Sequence, residues 1–149
     1  RFPITDHGCP LRLCHGDFQR SNVLFEPGNG YHLLDWELAL WGDPVWDVAC
    51  HLHRVSYPGQ MQGAVAERLL ATVPGWTGNA GQWQSFQSYW QIERFRSLVL
   101  DCLRMIRWGG GWSPERQASA VREYEAKLVA AGISTLRPRA ASVVFQEVW

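Results

Sequence analysis

Between Leu13 and Glu37 the chain reads LCHGDFQRSNVLFEPGNGYHLLDWE. Two carboxylates, Asp17 and Asp35, and one amide, Asn22, flank the short apolar runs Val23 to Phe25 and Tyr31 to Leu34. Pro27-Gly28-Asn29-Gly30 separates the runs, which predicts a β-hairpin with a four-residue turn. In that register Phe25 faces His32, Leu24 faces Leu33, Val23 faces Leu34 and Asn22 faces Asp35. Directly opposed residues hold their Cβ atoms about 4.5–5.5 Å apart, so an amide oxygen and a carboxylate can meet at one point. Such hard-oxygen donors suit Mg²⁺, which keeps several waters and takes the rest of its shell from substrate phosphates. Asp17 lies five residues before Asn22, on the loop entering the hairpin. A carboxylate placed there can accept a hydroxyl proton or orient the hydroxyl. Gly16 before it permits backbone conformations closed to other residues. Taken singly, each residue has a plainer role: Asn22 and Asp35 could end strands, with Asp35 accepting turn hydrogen bonds. Their joint spacing is what argues for a site.

The surrounding elements must hold these groups in place. A loop over Arg1 to Pro10 is expected to enter a short strand at Leu11 to Cys14. After Trp41 the pattern turns helical. Asp43 can cap and Pro44 suits the first helical position of a helix reaching about Val55. Asp43 is therefore read as a cap rather than a site residue. A second helix fits Met61 to Thr72, ended by Pro74-Gly75. The longest helix carries Phe86, Tyr89, Trp90, Phe95, Leu98, Val99, Cys102, Met105 and Ile106 near helical period and stops at Gly109-Gly110-Gly111. A fourth starts at the Ser113 cap with Pro114 and runs to Ala131 before Gly132. Ala141 to Val148 reads as a short helix or strand. The outline is α+β and mostly helical: a small β element first, then about four main helices.

Composition narrows the function classes. The 149 residues are 46% apolar and 19% charged with zero formal net charge, a globular composition with a core of its own. No basic excess points to nucleic acid. No apolar run is long enough to span a bilayer, and no signal peptide is expected. The four cysteines, Cys9, Cys14, Cys50 and Cys102, form no CxxC pair and read as reduced thiols in a cytoplasmic protein. Most of the nine tryptophans are expected in the core or a groove. Cys50-His51-Leu52-His53 suggests a metal, but on a helix neighbouring side chains point apart, so His51 and His53 read as packing or surface residues.

The spacing His15-Gly16-Asp17-Phe18-Gln19-Arg20-Ser21-Asn22, followed by Asp35-Trp36-Glu37, is that of the catalytic loop and metal hairpin of the protein kinase fold. Gly16 stands where many protein kinases have Arg, Glu37 where they have Gly, and no Ala-Pro-Glu follows. The chain resembles instead the aminoglycoside phosphotransferase family, within the larger group that includes choline kinases. The shared residues are His15-Gly16-Asp17, Asn22, Leu34-Asp35-Trp36-Glu37 and Gly42-Asp43-Pro44-Val45-Trp46-Asp47-Val48-Ala49. The Gly-Asp-Pro segment is closer to the aminoglycoside branch. The motifs cover about Leu13 to His53.

The resemblance implies Asp17 as catalytic base or hydroxyl-orienting carboxylate, with Asn22 and Asp35 holding Mg²⁺ against the phosphates of ATP. It implies that Asp47 hydrogen-bonds the loop backbone near His15, and that His15 packs beneath the loop rather than moving protons. Phosphoryl transfer asks mainly for positioning and charge neutralisation, which these residues supply. The acceptor would be a small molecule with a hydroxyl, bound by the helical part. Candidate acceptor residues are Glu93 and Asp101 on the long helix and Glu147 near the C-terminus; Trp83, Trp90, Trp108 and Trp112 could instead face a choline-like cation. An aminoglycoside, a sugar, an amino alcohol or a macrolide all stay open as acceptor.

By the same resemblance the chain corresponds to one C-terminal lobe, with residues 1–41 carrying the catalytic loop and metal hairpin and 42–149 the helical acceptor-binding part. The N-terminal ATP-binding lobe, with its Gly-rich loop and strand lysine, has no counterpart: Gly109 to Gly111 follows a helix, and Lys127 is the one lysine. A fragment of a longer enzyme is the favoured reading, beside a truncated frame and a stand-alone module. An apolar lobe-facing surface near Trp36 and Trp41, with self-association through it, is expected. A non-catalytic binding or assembly module that keeps the fold is the competing functional class.

Overall fold

The structure is a computed structural model and describes residues 7–133. Four short strands come first: β1 (Arg12–Cys14), β2 (Val23–Glu26), β3 (Gly30–Leu33) and β4 (Leu40–Gly42). Four helices follow: α1 (Pro44–Val55), α2 (Gly59–Leu70), α3 (Ala80–Trp108) and α4 (Pro114–Ala130). The fold is therefore α+β and mostly helical. Two compact units are present, one reaching Glu93 and the other starting at Arg94, so the division falls within α3. The segment Ala141 to Val148 lies outside the described residues.

Local chemistry explains the helix ends. Asp43 Oδ1 accepts from Val45 N at 2.9 Å, with Pro44 behind it, and α1 starts there as expected. Ser113 Oγ accepts from Arg116 N at 3.4 Å ahead of α4. Asp43 does more than cap. Its Oδ2 also accepts from His7 Nε2 at 2.7 Å and from the Tyr89 hydroxyl at 2.8 Å, joining the start of α1 to α3.

The β2–β3 hairpin differs from the predicted register by one residue. Val23 pairs with Leu33, Leu24 with His32, Phe25 with Tyr31 and Glu26 with Gly30. The turn is Pro27 to Asn29, three residues rather than four, because Gly30 takes a φ of 90° and closes the ladder from the left-handed region. Asn22 consequently lies opposite Leu34, whose N–H donates to the Asn22 carbonyl at 2.8 Å, and not opposite Asp35. A further pairing was not predicted: β1 runs antiparallel to β4, with Arg12 opposite Gly42 and Cys14 opposite Leu40. That ladder ties the strand entering the loop to the segment leaving the hairpin.

The core of the first unit gathers Val45, Ala49, Leu52, Ala66, Leu70, Val73 and Phe86 from α1, α2, the turn after it and α3. Trp76, Trp83 and Trp90 pack half-buried against it. Burying a side chain such as Leu52 or Leu70 stabilises by about 1.5–3 kcal/mol. Gln82 is buried at the start of α3 with its amide fully used. Its Oε1 accepts from Thr77 N at 2.7 Å and Gly78 N at 2.9 Å, and its Nε2 donates to the carbonyls of Gly75 at 2.8 Å and His7 at 3.1 Å. One side chain thus anchors two loops.

The expected apolar stripe of α3 is only partly covered: Phe86, Leu98 and Met105 are buried, whereas Phe95, Val99 and Ile106 are exposed. Trp36, Trp41 and Trp108 are exposed, whereas Trp46, Trp76, Trp83, Trp90 and Trp112 are half-buried. Among the described residues no helix is long and apolar enough to cross a membrane.

Candidate functional site

The loop from Cys14 to Asn22 leaves β1, passes His15 and Gly16, and ends in a single 3₁₀ turn, Arg20–Asn22, that leads into β2. Asp47 on α1 fixes its first bend. Asp47 Oδ2 accepts from His15 N at 2.9 Å and Oδ1 from Gly16 N at 2.8 Å. Two loop amides that would otherwise be buried without partners are thereby satisfied. Gly16 has a φ of 74°, and a Cβ on it would stand 2.7 Å from the Leu38 carbonyl oxygen. Both the conformation and the close approach require glycine.

His15 is buried beneath the loop. Asp17 N donates to its Nδ1 at 3.2 Å, so the proton sits on Nε2, which donates to the Leu34 carbonyl at 2.9 Å. Its ring lies 4.7 Å from that of Trp36. Both nitrogens are used in holding the loop to the end of the hairpin.

Asp17 and Asn22 are brought into direct contact. Asn22, 7% exposed, donates from Nδ2 to the Asp17 carbonyl at 2.8 Å and to Asp17 Oδ2 at 3.2 Å. That orientation leaves the amide Oδ1, which accepts from Ser21 Oγ at 3.2 Å, as the oxygen available for a cation. Asp35 follows Leu34, the backbone partner of Asn22. It is exposed, sits in the left-handed region at φ 64° and ψ 63°, and its side chain makes no capping bond to the 3₁₀ turn Trp36–Leu38. Non-glycine residues in that region are uncommon, and such strain clusters at functional sites. The Asn22 amide oxygen and the Asp35 carboxylate are hard-oxygen donors of the kind a divalent cation takes. Among the described residues no group of three or more His, Cys, Asp or Glu could hold a metal ion by itself.

Two contacts of Asp17 were not anticipated from the sequence. Arg54 Nη1 lies 2.5 Å from Asp17 Oδ1, and Gln19 Nε2 lies 3.2 Å from both Asp17 oxygens. A signal for Arg54 existed: Asp47, His51 and Arg54 are spaced i, i+4, i+7 and share one face of α1. His51 belongs to that face as a packing residue. Its Nδ1 donates to the Phe18 carbonyl at 2.9 Å, Nε2 lies 3.1 Å from the Tyr57 hydroxyl, and Phe18 stacks on the ring.

Of the candidate acceptor residues, Glu93 and Asp101 do not present free carboxylates. Glu93 is 2% exposed, and its Oε1 accepts from Trp46 Nε1 at 3.1 Å within the first unit. Asp101 belongs to the second unit and is paired with Lys127 and Arg104. Glu147 lies outside the described residues. The eight-residue spacing of Glu93 and Asp101 placed them on one side of a helix but carried no information on what covers each. Trp83 and Trp90 pack on the core, and the guanidinium groups of Arg107 and Arg116 lie 5.5 and 4.9 Å from the ring centroids of Trp108 and Trp112.

All four cysteines are free thiols. Burial, with the charge of Asp47 nearby, pushes the Cys14 thiol up to about 11. The Tyr89 hydroxyl is pushed up by burial and by its hydrogen bond to Asp43.

Residues 3–81 match the family described as the phosphotransferase enzyme family, and the chain belongs to that family. The matched span contains His15, Asp17, Asn22, Asp35, Asp47 and Arg54. No curated protein and no solved structure matches the chain.

Proposed function

We propose that the chain is the C-terminal lobe of an ATP-dependent small-molecule O-phosphotransferase, aminoglycoside phosphotransferase-like and of protein kinase-like fold. It transfers the γ-phosphate to a substrate hydroxyl. The observation that carries this reading is the contact of Asn22 Nδ2 with Asp17 Oδ2 on a loop held by the Asp47 carboxylate.

On this reading the Asp17 carboxylate accepts or orients the acceptor hydroxyl, and Asn22 and Asp35 are the residues that would hold Mg²⁺. The ion, when bound, neutralises charge on the ATP phosphates. The hydrogen bonds of Asp47 and His15 keep the carboxylate in place, and preorganisation of this kind is a large part of what phosphoryl transfer requires.

The ATP cleft is completed by a further lobe. The exposed apolar side chains of the β part support this, among them Leu24, Phe25, Tyr31 and Trp41. The free cysteines fit a cytoplasmic setting. The same apolar surface also suits the second reading, a binding or assembly module without catalysis.

The deciding experiment measures ADP release from MgATP by these 149 residues, alone and joined to their preceding coding sequence, over a panel of hydroxyl acceptors. Slow transfer by the isolated chain, fast transfer by the longer one and abolition by Asp17→Asn are expected. Nucleotide binding without turnover on any acceptor would favour the assembly module.

A further inference from the structure

We infer that Arg54 is a positioning residue for Asp17: its guanidinium holds one carboxylate oxygen and so leaves the other to take the acceptor hydroxyl. The inference rests on the reading of Asp17 as the hydroxyl-orienting carboxylate.

The two oxygens of Asp17 have different surroundings. Oδ1 carries the Arg54 Nη1 contact at 2.5 Å together with Gln19 Nε2 at 3.2 Å. Oδ2 has only neutral amides, Gln19 Nε2 and Asn22 Nδ2, each at 3.2 Å. A charge-assisted bond is shorter and about twice as strong as a neutral one. It therefore fixes the rotation of the carboxylate about its last bond. Oδ2, on the Asn22 side, is the oxygen whose contacts a hydroxyl can most easily replace.

Arg54 completes a row. Asp47 binds the amides of His15 and Gly16, His51 binds the carbonyl of Phe18, and Arg54 binds the side chain of Asp17. One face of α1 thus holds four consecutive loop residues. The Arg54 side chain is 23% exposed, and its Nε is buried without a hydrogen-bond partner among the described residues. A guanidinium kept partly out of water for one contact differs from a surface ion pair, whose partners stay solvated. A plainer role exists, since Arg54 lies in the last turn of α1, where a cation interacts favourably with the helix dipole. That role would be indifferent to Asp17.

The test compares the protein with its Arg54→Gln and Arg54→Lys variants, using MgATP as nucleotide and glycerol as hydroxyl acceptor. Arg54→Gln is expected to lower kcat about 10–100-fold with KM for MgATP changed less than about 2-fold. Arg54→Lys is expected to recover most of the loss. The side-chain amide NMR signals of Gln19 and Asn22 should move in Arg54→Gln and stay near their places in Arg54→Lys. An unchanged kcat in Arg54→Gln overturns the proposal, as does a loss that follows thermal stability alone while the amide signals stay put. If the unsubstituted protein transfers no phosphate to glycerol or to any other hydroxyl acceptor of the panel, that result counts against the phosphotransfer reading, and the amide signals alone decide on Arg54. Unmoved signals then overturn the proposal; moved signals uphold Arg54 as the residue that orders the Asp17 carboxylate.

Discussion

Gly16 N donates to Asp47 Oδ1 at 2.8 Å across 31 residues of sequence. The second Asp47 oxygen takes the neighbouring amide of His15, so one carboxylate sets the path of the loop just before Asp17. Asp47→Ala would leave both amides without a protein partner. A stability loss of about 1–3 kcal/mol is expected, read as a lower urea midpoint at unchanged slope. An unshifted midpoint would mean that water replaces the carboxylate at no cost.

Gly16→Ala should be damaging for a different reason. The new Cβ would meet the Leu38 carbonyl at 2.7 Å in a backbone conformation of positive φ. A loss of about 1–3 kcal/mol follows from the strain alone. Thermal unfolding measures it, and a melting temperature equal to that of the unsubstituted chain would show that the loop can move away from Leu38.

The three polar residues of the site should separate by measurement. Asp17→Asn is nearly isosteric and should keep MgATP affinity while lowering phosphoryl transfer about 10²–10⁴-fold. Asp35→Ala should leave stability nearly unchanged, because the side chain is exposed and makes no capping bond. It should raise the Mg²⁺ concentration needed for nucleotide binding. Asn22→Ala should do both kinds of harm, since its buried amide holds the Asp17 carbonyl. Titration calorimetry with MgATP beside a melting curve distinguishes the three. Equal Mg²⁺ requirements in Asp35→Ala and the unsubstituted protein would remove Asp35 from the metal site.

Alkaline pH should destabilise the fold. The Cys14 thiol is held up at about 11 from an ordinary 9.0, chiefly by burial and next by the Asp47 charge. The folded chain therefore keeps a proton that the unfolded chain releases. The contribution is fully present below pH 9 and is lost as pH rises towards 11. Tyr89, shifted in the same direction by burial and by its bond to Asp43, extends the loss further up. Denaturation midpoints between pH 8 and about 11 should fall, and Cys14→Ala should flatten the slope below pH 11. An identical slope in the variant would assign the loss to other groups.

The apolar side chains of the β part make a further prediction. Tyr31 is 77% and Trp41 67% exposed. Self-association of the isolated chain is expected in sedimentation, reduced by a Trp41→Ser, Phe25→Ser double substitution. Monomeric behaviour at high concentration would argue that this surface needs no cover.

What the sequence determined by itself was local. The closeness of His15, Asp17 and Asn22 on one loop was legible from types and spacing. The starts of α1 and α4 followed from Asp43-Pro44 and Ser113-Pro114, because a cap and a proline act within one turn of helix. The hairpin was legible but its register was not. Whether Gly30 belongs to the turn or to the strand depends on a φ that glycine alone leaves free, and that choice moved Asn22 from Asp35 to Leu34. Tertiary structure decided the rest. It buried Glu93 against Trp46, paired Asp101 with Lys127, closed β1 on β4, tied Gln82 to His7 and laid Arg54 on Asp17. Those contacts join positions up to 75 residues apart, and only packing, not spacing along the chain, determines what covers a side chain or which charge it meets.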